Sequence, residues 1–309
     1  MRGFILCAGF GTRLKPITDH VPKALVPVCG EPLLMRNLRF LRQQGFCDLA
    51  VNTHYFHQQI ESVASNSHIP FRIFHEADSI RGTGGAFDFA REFLAGDDTF
   101  FIMNVDMVNN FNIREMGERF RQSSNICSLV TVPSKNRGTI LYDTETLSYI
   151  DVVSPEKIYP KGVSRGDFTG CAFYRKEFLE LVSAEDFSIL PVWKKALELG
   201  LGVGVEFPDT DYWIDIGTPK AYAQLHFDYM DRLVSLDIPS GMDCDFEKKI
   251  CCNRDIGSEI LENIGPYSWV EQGKFSDDAS VERCVIWPGG EVKGRVSRTI
   301  VTPWGNVEF

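Results

Sequence analysis

Short apolar runs alternate with amphipathic segments along the N-terminal third of the chain. The apolar runs, which predict strands, cover residues 3–8, 49–53, 71–75 and 99–104. Apolar residues at helical spacing fill the intervals, at residues 33–44, 56–65 and 85–94. Short strands separated by helices are typical of βαβ units, which build a mostly parallel sheet covered on both faces. The sequence therefore predicts an α/β fold with a doubly wound, Rossmann-like sheet, whose ligands bind at the carboxyl ends of strands.

The pattern of apolar positions changes twice beyond that sheet. Shorter β runs, which predict an inserted β region beside the ligand cleft, lie at residues 127–132, 139–142, 147–153 and 168–174. A closing helix at 219–234 leads into a linker at 236–243. From Gly265 to Val301 aliphatic residues recur loosely every five or six positions, as in the coils of a solenoid. An irregular β extension is the alternative for this last segment.

Composition narrows the classes of ligand and compartment. The 309 residues are 44% hydrophobic, and their formal net charge is −10 at pH 7. Such an acidic chain is a poor partner for nucleic acid or for an anionic membrane surface. No apolar run of membrane-spanning length occurs, and the residues after Met1 predict a core strand, not a signal peptide. The cysteines lack a Cys-x2-Cys pair, so we expect reduced thiols and a cytoplasmic location.

The first predicted strand opens into a glycine-rich turn. Residues 6–14 read LCAGFGTRL, and residues 22–28 read PKALVPV. Gly9 and Gly11 can adopt positive φ and let an anion approach the backbone, whose N–H groups then line a concavity. Arg13 offers a planar donor fork and Lys23 a compact charge, both suited to phosphate oxygens. A P-loop string is absent and Leu14 replaces the third glycine of a dinucleotide fingerprint, which leaves an ordinary strand-exit turn as the alternative.

Two aspartates follow or interrupt apolar strands. Asp106 comes just after the predicted strand 99–104, and Asp215 lies in the apolar run YWIDIG before a helix. A carboxylate beside a buried strand is costly without a partner. Two such carboxylates, brought together, form a hard oxygen site suited to Mg²⁺ that bridges substrate phosphates. The alternatives are a turn residue for Asp106 and a residue near a helix cap for Asp215.

These strings together resemble the signature of the sugar-1-phosphate nucleotidylyltransferases, also called nucleotide-sugar pyrophosphorylases. The resemblance rests on LCAGFGTRLKPIT at residues 6–18, PKALVPV at 22–28 and WIDIGTP at 213–219. Within the family, the sequence most resembles the mannose- and heptose-1-phosphate guanylyltransferases and the N-acetylmuramate-1-phosphate uridylyltransferases. It implies a catalytic domain over residues 1–235. The C-terminal repeats resemble a shortened left-handed β-helix, which implies a smaller domain over 244–309.

The resemblance implies roles for individual residues. In the family the loop arginine binds the triphosphate and the lysine contacts phosphate near the reacting centre, so Arg13 and Lys23 are the implied catalytic residues. The implied ligands of Mg²⁺ are Asp106 and Asp215, although Val105 stands where relatives often have glycine. The implied nucleotide-binding residues, in the loop and in the segment that reads the base, are Leu6, Ala8, Gly9, Gly11, Thr12, Arg13, Glu76, Thr83, Gly84 and Gly85.

Residues for the base and the sugar phosphate are less distinct. Glu76 would suit an amino group of the base, as in guanine. Thr169 and Gly170 match the place where relatives hold a small residue and glycine beneath the sugar. Glu156 and Lys157 resemble a Glu-Lys pair that contacts the sugar phosphate in several members, with a solvated loop pair as the alternative. Neither the base nor the sugar is fixed by these residues.

The implied reaction is nucleotidylyl transfer from an NTP to a sugar-1-phosphate, which gives an NDP-sugar and pyrophosphate. Because the sugar phosphate is already ionised, alignment and charge screening take the place of a general base. Two alternatives stay open: a non-catalytic subunit for nucleotide sensing or assembly, and a phosphocholine cytidylyltransferase with an aromatic or acidic cage. So few coils need a neighbour to cover their faces, which can be the catalytic domain or another subunit. A homo-oligomer through the C-terminal extension is therefore a further expectation.

Overall fold

The computed structural model describes residues 1–134, 138–154, 158–210 and 212–309. Contacts within the chain divide it into two compact units, each built from segments that are distant in sequence. The first unit comprises Met1–Gly9, Asn37–Met107 and Phe111–Trp213. The second comprises Phe10–Arg36, Val108–Asn110 and Ile214–Phe309. The glycine-rich loop beyond Gly9 therefore belongs to the same unit as the C-terminal repeats.

Strands outnumber helices in the described residues. The strands are β1 (Arg2–Leu6), β2 (Pro27–Val28), β3 (Glu31–Pro32), β4 (Leu49–Thr53), β5 (Arg72–His75), β6 (Thr99–Asn104), β7 (Met107–Asn109), β8 (Cys127–Pro133), β9 (Ile140–Asp143), β10 (Tyr149–Val152), β11 (Val163–Arg175), β12 (Val203–Glu206), β13 (Trp213–Asp215), β14 (Met242–Asp245), β15 (Ile250–Asn253), β16 (Ser268–Val270), β17 (Lys274–Phe275), β18 (Ser280–Glu282), β19 (Val285–Ile286), β20 (Glu291–Val292), β21 (Arg295–Ser297), β22 (Thr299–Thr302) and β23 (Gly305–Glu308). The helices are α1 (Leu33–Gln43), α2 (His57–Ser65), α3 (Gly82–Phe89), α4 (Arg91–Leu94), α5 (Ile113–Gln122), α6 (Leu190–Glu198), α7 (Pro219–Met230) and α8 (Ser258–Leu261). Short 3₁₀ turns are Thr12–Leu14, Ile17–Asp19, Lys23–Leu25 and Lys176–Leu181. Within the described residues, no helix has the length and apolar character needed to cross a bilayer.

The first unit is built on a sheet whose central strands are parallel. β1 pairs with β4 and with β6, and β4 pairs with β5, all in the parallel sense. Phe4 and Ile5 on β1 are fully buried, because a strand covered on both faces turns neither side to water. The parallel strands end at one edge, so the segments that follow β1, β4, β5 and β6 emerge together. The predicted α/β class with a Rossmann-like sheet is confirmed.

Antiparallel strands extend the same sheet beyond β6. The long strand β11 pairs with β6, β8 and β9, and β10 pairs with β9. β8 also takes β12 as a parallel neighbour. The helix α6 packs on these strands, and its buried Trp193 indole N–H donates to the hydroxyl of Tyr174 on β11 at 3.2 Å. These strands correspond to the predicted inserted β region.

Observed bounds follow the predicted ones where an apolar run is sharply delimited. β4 and β6 have the predicted bounds. The helix predicted over 85–94 instead begins at Gly82 and is divided into α3 and α4 at Ala90, whose φ and ψ are −97° and 12°. The β2–β3 hairpin, α5 and α6 have no counterpart among the predicted elements.

The C-terminal repeats of the second unit form stacked parallel strands. β15, β16, β19 and β22 lie in one stack, β17 pairs with β20, and β18 pairs with β21. Val270, Ile286 and Val301 are buried between these layers. The antiparallel strands β14 and β23 cover the two ends of the first stack, where open edges would invite pairing with other chains. The stacking is that expected of solenoid coils; their left-handed sense stays a prediction.

One pair of cysteines departs from the expectation of reduced thiols. Cys244 and Cys251 face each other directly across β14 and β15 and form a disulfide. The expectation was wrong here because the pairing depends on the hairpin register, which the spacing of cysteines does not reveal. The other cysteines of the described chain have no disulfide partner, and all of them except Cys47 are buried.

Candidate active site

Gly11 shapes the loop that follows β1. It lies in the left-handed region, with φ 64° and ψ 29°, just before the 3₁₀ turn Thr12–Leu14. The hydroxyl of Thr18 donates to the Gly11 carbonyl at 2.9 Å, and a Cβ on Gly11 would stand 2.9 Å from Thr18 Cγ2. Conformation and space both require glycine here. Gly9 differs, because its φ is not positive and no described atom lies within 4 Å of the place its Cβ would take.

Arg13 and Asp215, predicted for different roles, form an ion pair. Arg13 Nη1 donates to Asp215 Oδ2 at 3.0 Å, and Nη2 donates to Oδ2 at 3.1 Å and to Oδ1 at 3.4 Å. The Arg13 side chain is 57% exposed and that of Asp215 is 28% exposed. A forked contact of this kind is geometrically specific, but solvent keeps exposed pairs at about 0–1 kcal/mol. A ligand can therefore displace one partner of this ion pair at a small cost in free energy.

The carboxylate of Asp215 is held in its ionised form. Burial alone would raise its pKa, but hydrogen bonds from Arg13 and from the Gly217 N–H, with the charges of Arg13 and Lys23, hold that pKa below its usual value. The Gly217 N–H donates to Oδ1 at 2.8 Å. A Cβ on Gly217 would stand 2.5 Å from Arg13 Nη2, so glycine makes room for the guanidinium. The cap of α7 is Thr218, whose hydroxyl accepts from the first turn at 3.2 Å.

Asp106 lies in the turn between β6 and β7, at the carboxyl edge of the sheet. Its side chain is buried, and its charge adds to burial in raising the pKa of the Cys7 thiol. The neighbouring Val105, where relatives often have glycine, keeps both backbone groups paired. Its N–H donates to Leu6 O at 3.2 Å, and its carbonyl accepts from Asn37 Nδ2 at 2.7 Å. Valine therefore fits this turn without loss of backbone hydrogen bonds.

A buried hydrogen-bond chain links the ends of β1, β4 and β5. The Cys7 N–H donates to Asn52 Oδ1 at 2.7 Å, and Asn52 Nδ2 donates to Glu76 Oε1 at 2.8 Å. Glu76 Oε2 accepts from the Arg81 N–H at 2.7 Å, and Glu76 is only 1% exposed. Each carboxylate oxygen of Glu76 thus already accepts a hydrogen bond from the chain. Its contact with a base stays a prediction.

The segment that opens α3 packs closely against residues 184–189. A Cβ on Gly84 would collide with the carbonyl oxygen of Asp186. Thr83 Oγ1 accepts from the Ile189 N–H at 2.9 Å. Packing within the protein is thus sufficient reason for glycine at position 84. The nucleotide-binding roles of Thr83, Gly84 and Gly85 stay predictions.

Thr169 and Gly170 are fixed by contacts inside the first unit. Thr169 Oγ1 donates to Val130 O at 2.8 Å, and the Thr169 carbonyl accepts from Trp213 Nε1 at 3.0 Å. Gly170 has φ 75°, and a Cβ there would stand 2.9 Å from Asn104 Nδ2. Their place beneath a sugar stays a prediction.

The remaining predicted residues are placed only in part. Glu156 and Lys157 lie outside the described residues. Asp106 belongs to the first unit and Asp215 to the second. In the part of the chain that the structure describes, no three His, Cys, Asp or Glu side chains gather as a metal site. A pair of aspartates completed by substrate phosphates is a smaller set, and the Mg²⁺ pair stays a prediction.

Three residues that shape the site were not among the predicted ones: Thr18, Asn52 and Gly217. Thr18 and Gly217 lie inside the strings that carry the family resemblance, so the strings themselves were the available signal. Asn52 interrupts the buried apolar strand β4, and a polar residue in such a strand needs a partner.

Residues 2–140 match the sequence model of the nucleotidyl transferase family. The matched region contains the glycine-rich loop, Lys23, Glu76 and Asp106. This part of the chain therefore has the sequence pattern of a nucleotidyl transferase domain. The resemblance to sugar-1-phosphate nucleotidylyltransferases, predicted from the strings above, is confirmed.

Curated proteins named as mannose-1-phosphate guanyltransferases are similar to the chain. The protein from Debaryomyces hansenii is 26% identical over 236 residues, which cover 72% of this chain and 62% of the relative. The mannose-1-phosphate guanylyltransferase catalytic subunit beta of Xenopus tropicalis is 28% identical over 233 residues, with coverage of 72% and 62%. The chain thus spans 62% of the length of these relatives.

Solved structures share the fold. A Bacillus anthracis chain described as a glucose-1-phosphate thymidylyltransferase, in complex with sucrose, has a TM-score of 0.63 at 20% identity, covering 77% of this chain and 97% of its own. HddC from Yersinia pseudotuberculosis, complexed with GMP-PN, has a TM-score of 0.58 at 21% identity, covering 72% and 97%. At these identities the likeness concerns the fold alone.

Proposed function

We propose that the chain catalyses nucleotidylyl transfer from an NTP to a sugar-1-phosphate, giving an NDP-sugar and pyrophosphate. The observation that carries the proposal is the gathering of Arg13, Lys23 and Asp215 beside the positive-φ turn at Gly11, within one unit. Lys23 Cβ lies 3.3 Å from the place a Cβ on Gly11 would take, and the Lys23 charge contributes to the lowered pKa of Asp215. Two cations and an ionised carboxylate beside a glycine-rich loop match the needs of a triphosphate and its cation.

The transfer needs alignment more than proton movement. An ionised oxygen of the sugar phosphate attacks the α-phosphorus while the bond to pyrophosphate breaks. The fork of Arg13 suits two oxygens of the departing β,γ-phosphates, and the compact charge of Lys23 suits the attacked phosphorus. Both side chains reduce the repulsion between two anionic reactants, and electrostatic stabilisation of this kind is a large part of catalysis in phosphoryl-type transfers.

The donor chemistry of Asp106 and Asp215 fits Mg²⁺. The lowered pKa of Asp215 keeps it ionised at neutral pH, and Asp106 is a buried carboxylate at the ligand edge of the sheet. Carboxylate oxygens suit this hard cation, which when bound neutralises charge on phosphate oxygens. For Asp215 this role requires that Arg13 release the carboxylate.

The names of the relatives favour GTP and a hexose-1-phosphate as the first substrates to try. The curated relatives are named for mannose-1-phosphate, and HddC was solved with GMP-PN. UTP is the second nucleotide to test, because nothing described around Glu76 distinguishes the two bases.

The test is a panel of four NTPs against several sugar-1-phosphates, with pyrophosphate release as the readout. We expect Mg²⁺-dependent release from at least one pair, and a loss of about 100-fold or more in Asp106→Ala and Asp215→Ala. Asp277→Ala, which changes an exposed aspartate of the C-terminal coils, is the matched control. Nucleotide binding without release from any pair would contradict the proposal and favour a nucleotide-sensing subunit. Release with phosphocholine alone would favour a cytidylyltransferase.

A further inference from the structure

The segment after Lys23 folds into a tight hairpin. Its strands β2 and β3 are joined by Cys29 and Gly30, which have φ of 47° and 80°. Positive φ at both central residues is the geometry that suits a two-residue hairpin. Lys23 precedes this hairpin by a single turn, in which the Val26 N–H donates to Lys23 O at 3.2 Å. The position of Lys23 therefore depends on the position of the hairpin.

A two-step hydrogen-bond relay runs from the C-terminal coils to this hairpin. Trp287 Nε1 donates to Tyr222 Oη at 2.8 Å, and Tyr222 Oη donates to Pro27 O at 2.6 Å. Tyr222 lies on α7 and is 0% exposed, while Trp287 follows β19 and is 4% exposed. The backbone N–H of Trp287 donates to Val301 O of the next coil at 2.9 Å, which fixes the residue in its coil. The bond between Trp287 and Tyr222 is buried and the bond from Tyr222 to Pro27 is partly buried, so water cannot easily replace a lost partner at the first of them.

The carbonyl of Pro27 is the hairpin group that accepts the last hydrogen bond of the relay. Proline has no N–H, so its carbonyl is the one backbone group through which the chain can be held at this position. On the next residues, Arg36 Nη2 donates to Val28 O at 3.0 Å, and the Cys29 N–H donates to His226 Nε2 at 3.2 Å. Among these three bonds, the one from Tyr222 to Pro27 lies nearest to Lys23 along the chain.

A second contact joins the coils to the chain on the other side of Lys23. Trp304, in the turn between β22 and β23, stacks on His20 with ring centroids 4.8 Å apart and planes at 10°. Trp304 also meets the ring of Trp287 edge to face at 6.0 Å. The same part of the coils thus contacts the chain before Lys23 directly, at His20, and is linked through Tyr222 to the chain after Lys23, at Pro27.

We propose that Tyr222 and Trp287 are positioning residues, through which the C-terminal coils hold Lys23 in the conformation that meets phosphate. The inference rests on the proposed function, since it takes Lys23 to contact phosphate. On this proposal the coils contribute to catalysis indirectly, because Trp287 acts on Lys23 only through Tyr222 and Pro27.

The test compares Tyr222→Phe and Trp287→Phe with a matched control. Each substitution removes one hydrogen-bonding group of the relay and keeps an aromatic ring. The control is Tyr229→Phe on the same helix. Tyr229 is 8% exposed, and its hydroxyl makes no hydrogen bond to any described residue.

Hydrogen exchange is measured first, because it needs no substrate. The amides of Val26, Cys29 and Leu33 report on the hairpin and the turn before it. We expect them to exchange about tenfold faster in Tyr222→Phe and in Trp287→Phe, and within about twofold of wild type in Tyr229→Phe. Exchange at wild-type rates in both relay variants would overturn the inference.

Steady-state kinetics then separate positioning from a general loss of stability. With the most active substrate pair, we expect Tyr222→Phe to lower kcat about tenfold, because misplacement of a charged group by a fraction of an ångström is costly. In a Lys23→Met background the same substitution should lower kcat by less than about twofold, since the group to be positioned is gone. Equal effects in the two backgrounds would show that Tyr222 merely supports the fold.

The two proposals fail in different ways. A wild-type chain without transfer activity on any pair contradicts the proposed function, while the exchange data still decide whether Tyr222 and Trp287 hold the Lys23 segment. An active wild type whose relay variants behave like Tyr229→Phe contradicts the positioning role alone.

Discussion

His226 is a buried histidine whose protonation is expected to weaken the fold. It is 0% exposed on α7, its Nδ1–H donates to Tyr222 O at 3.0 Å, and its Nε2 accepts from the Cys29 N–H at 3.2 Å. These partners assign the neutral tautomer, because a backbone N–H needs an acceptor. Burial lowers the pKa of His226 to about 4, with the bond to Tyr222 acting against the shift and the charge of Arg36 adding to it.

The sign and size of the effect follow from that pKa. The folded-state value of about 4 lies below the ordinary value of 6.5, so between them the unfolded chain binds a proton that the folded chain does not. The free energy of unfolding therefore rises with pH; the contribution is complete above pH 6.5 and is lost as the pH falls towards 4. The full interval corresponds to about 3 kcal/mol, of which about 2 kcal/mol is lost by pH 5.

Urea unfolding of wild type and His226→Gln between pH 7 and pH 5 measures this contribution. Other titrating groups, such as Glu271 with its pKa raised by burial, are present in both proteins and cancel in the difference. Glutamine carries no charge, so the advantage of wild type is expected to shrink by about 2 kcal/mol over this range. His68→Gln, at an exposed histidine, is the control for the exchange of histidine for glutamine. A constant difference between wild type and His226→Gln would refute the reasoning.

Three further substitutions test the site. Gly217→Ala places a methyl group 2.5 Å from Arg13 Nη2 and is expected to raise KM for the nucleotide about tenfold in initial-rate assays, because the guanidinium must move. Arg13→Lys keeps the charge but loses the fork, so kcat/KM should fall about tenfold. Glu76→Gln replaces one acceptor of the Asn52 and Arg81 contacts with a donor, and urea unfolding should show a loss of about 1–3 kcal/mol.

Gly257→Ala, at an exposed glycine with open space around it, controls for the loss of glycine in Gly217→Ala. An Arg13→Lys protein as efficient as wild type would mean that phosphate binding does not use the fork. Wild-type stability in Glu76→Gln would mean that the buried chain of hydrogen bonds tolerates a donor at either oxygen.

Much of the first unit could be predicted from local pattern. β4 and β6 are short apolar runs bounded by polar residues, so their ends are visible in the sequence. The β2–β3 hairpin was missed because strands of two residues have no periodicity to detect. The division of α3 from α4 at Ala90 was missed for a related reason, since alanine favours helix and gives no sign of a break.

The candidate site shows the same limit at longer range. Gly11 and Arg13 were recognisable because they lie within one string whose residue types suit phosphate. The ion pair of Arg13 with Asp215 was not predictable, because no pattern relates two residues that meet only through the tertiary fold. Gly84 illustrates a further ambiguity: the sequence shows a glycine, but only the carbonyl of Asp186 beside it reveals a packing reason.

The grouping of Phe10–Arg36 with the C-terminal unit bears on how the chain can be shortened. A fragment that stops at residue 235 retains Arg13, Lys23 and Asp215. It loses Trp304, which stacks on His20 before Lys23, and Trp287, which is linked through Tyr222 to the chain after Lys23. If such a fragment folds but is inactive, the cause would be the loss of the contacts that position the Lys23 segment, because these three candidate site residues are still present. Any search for a minimal active version of this protein should therefore trim other regions first.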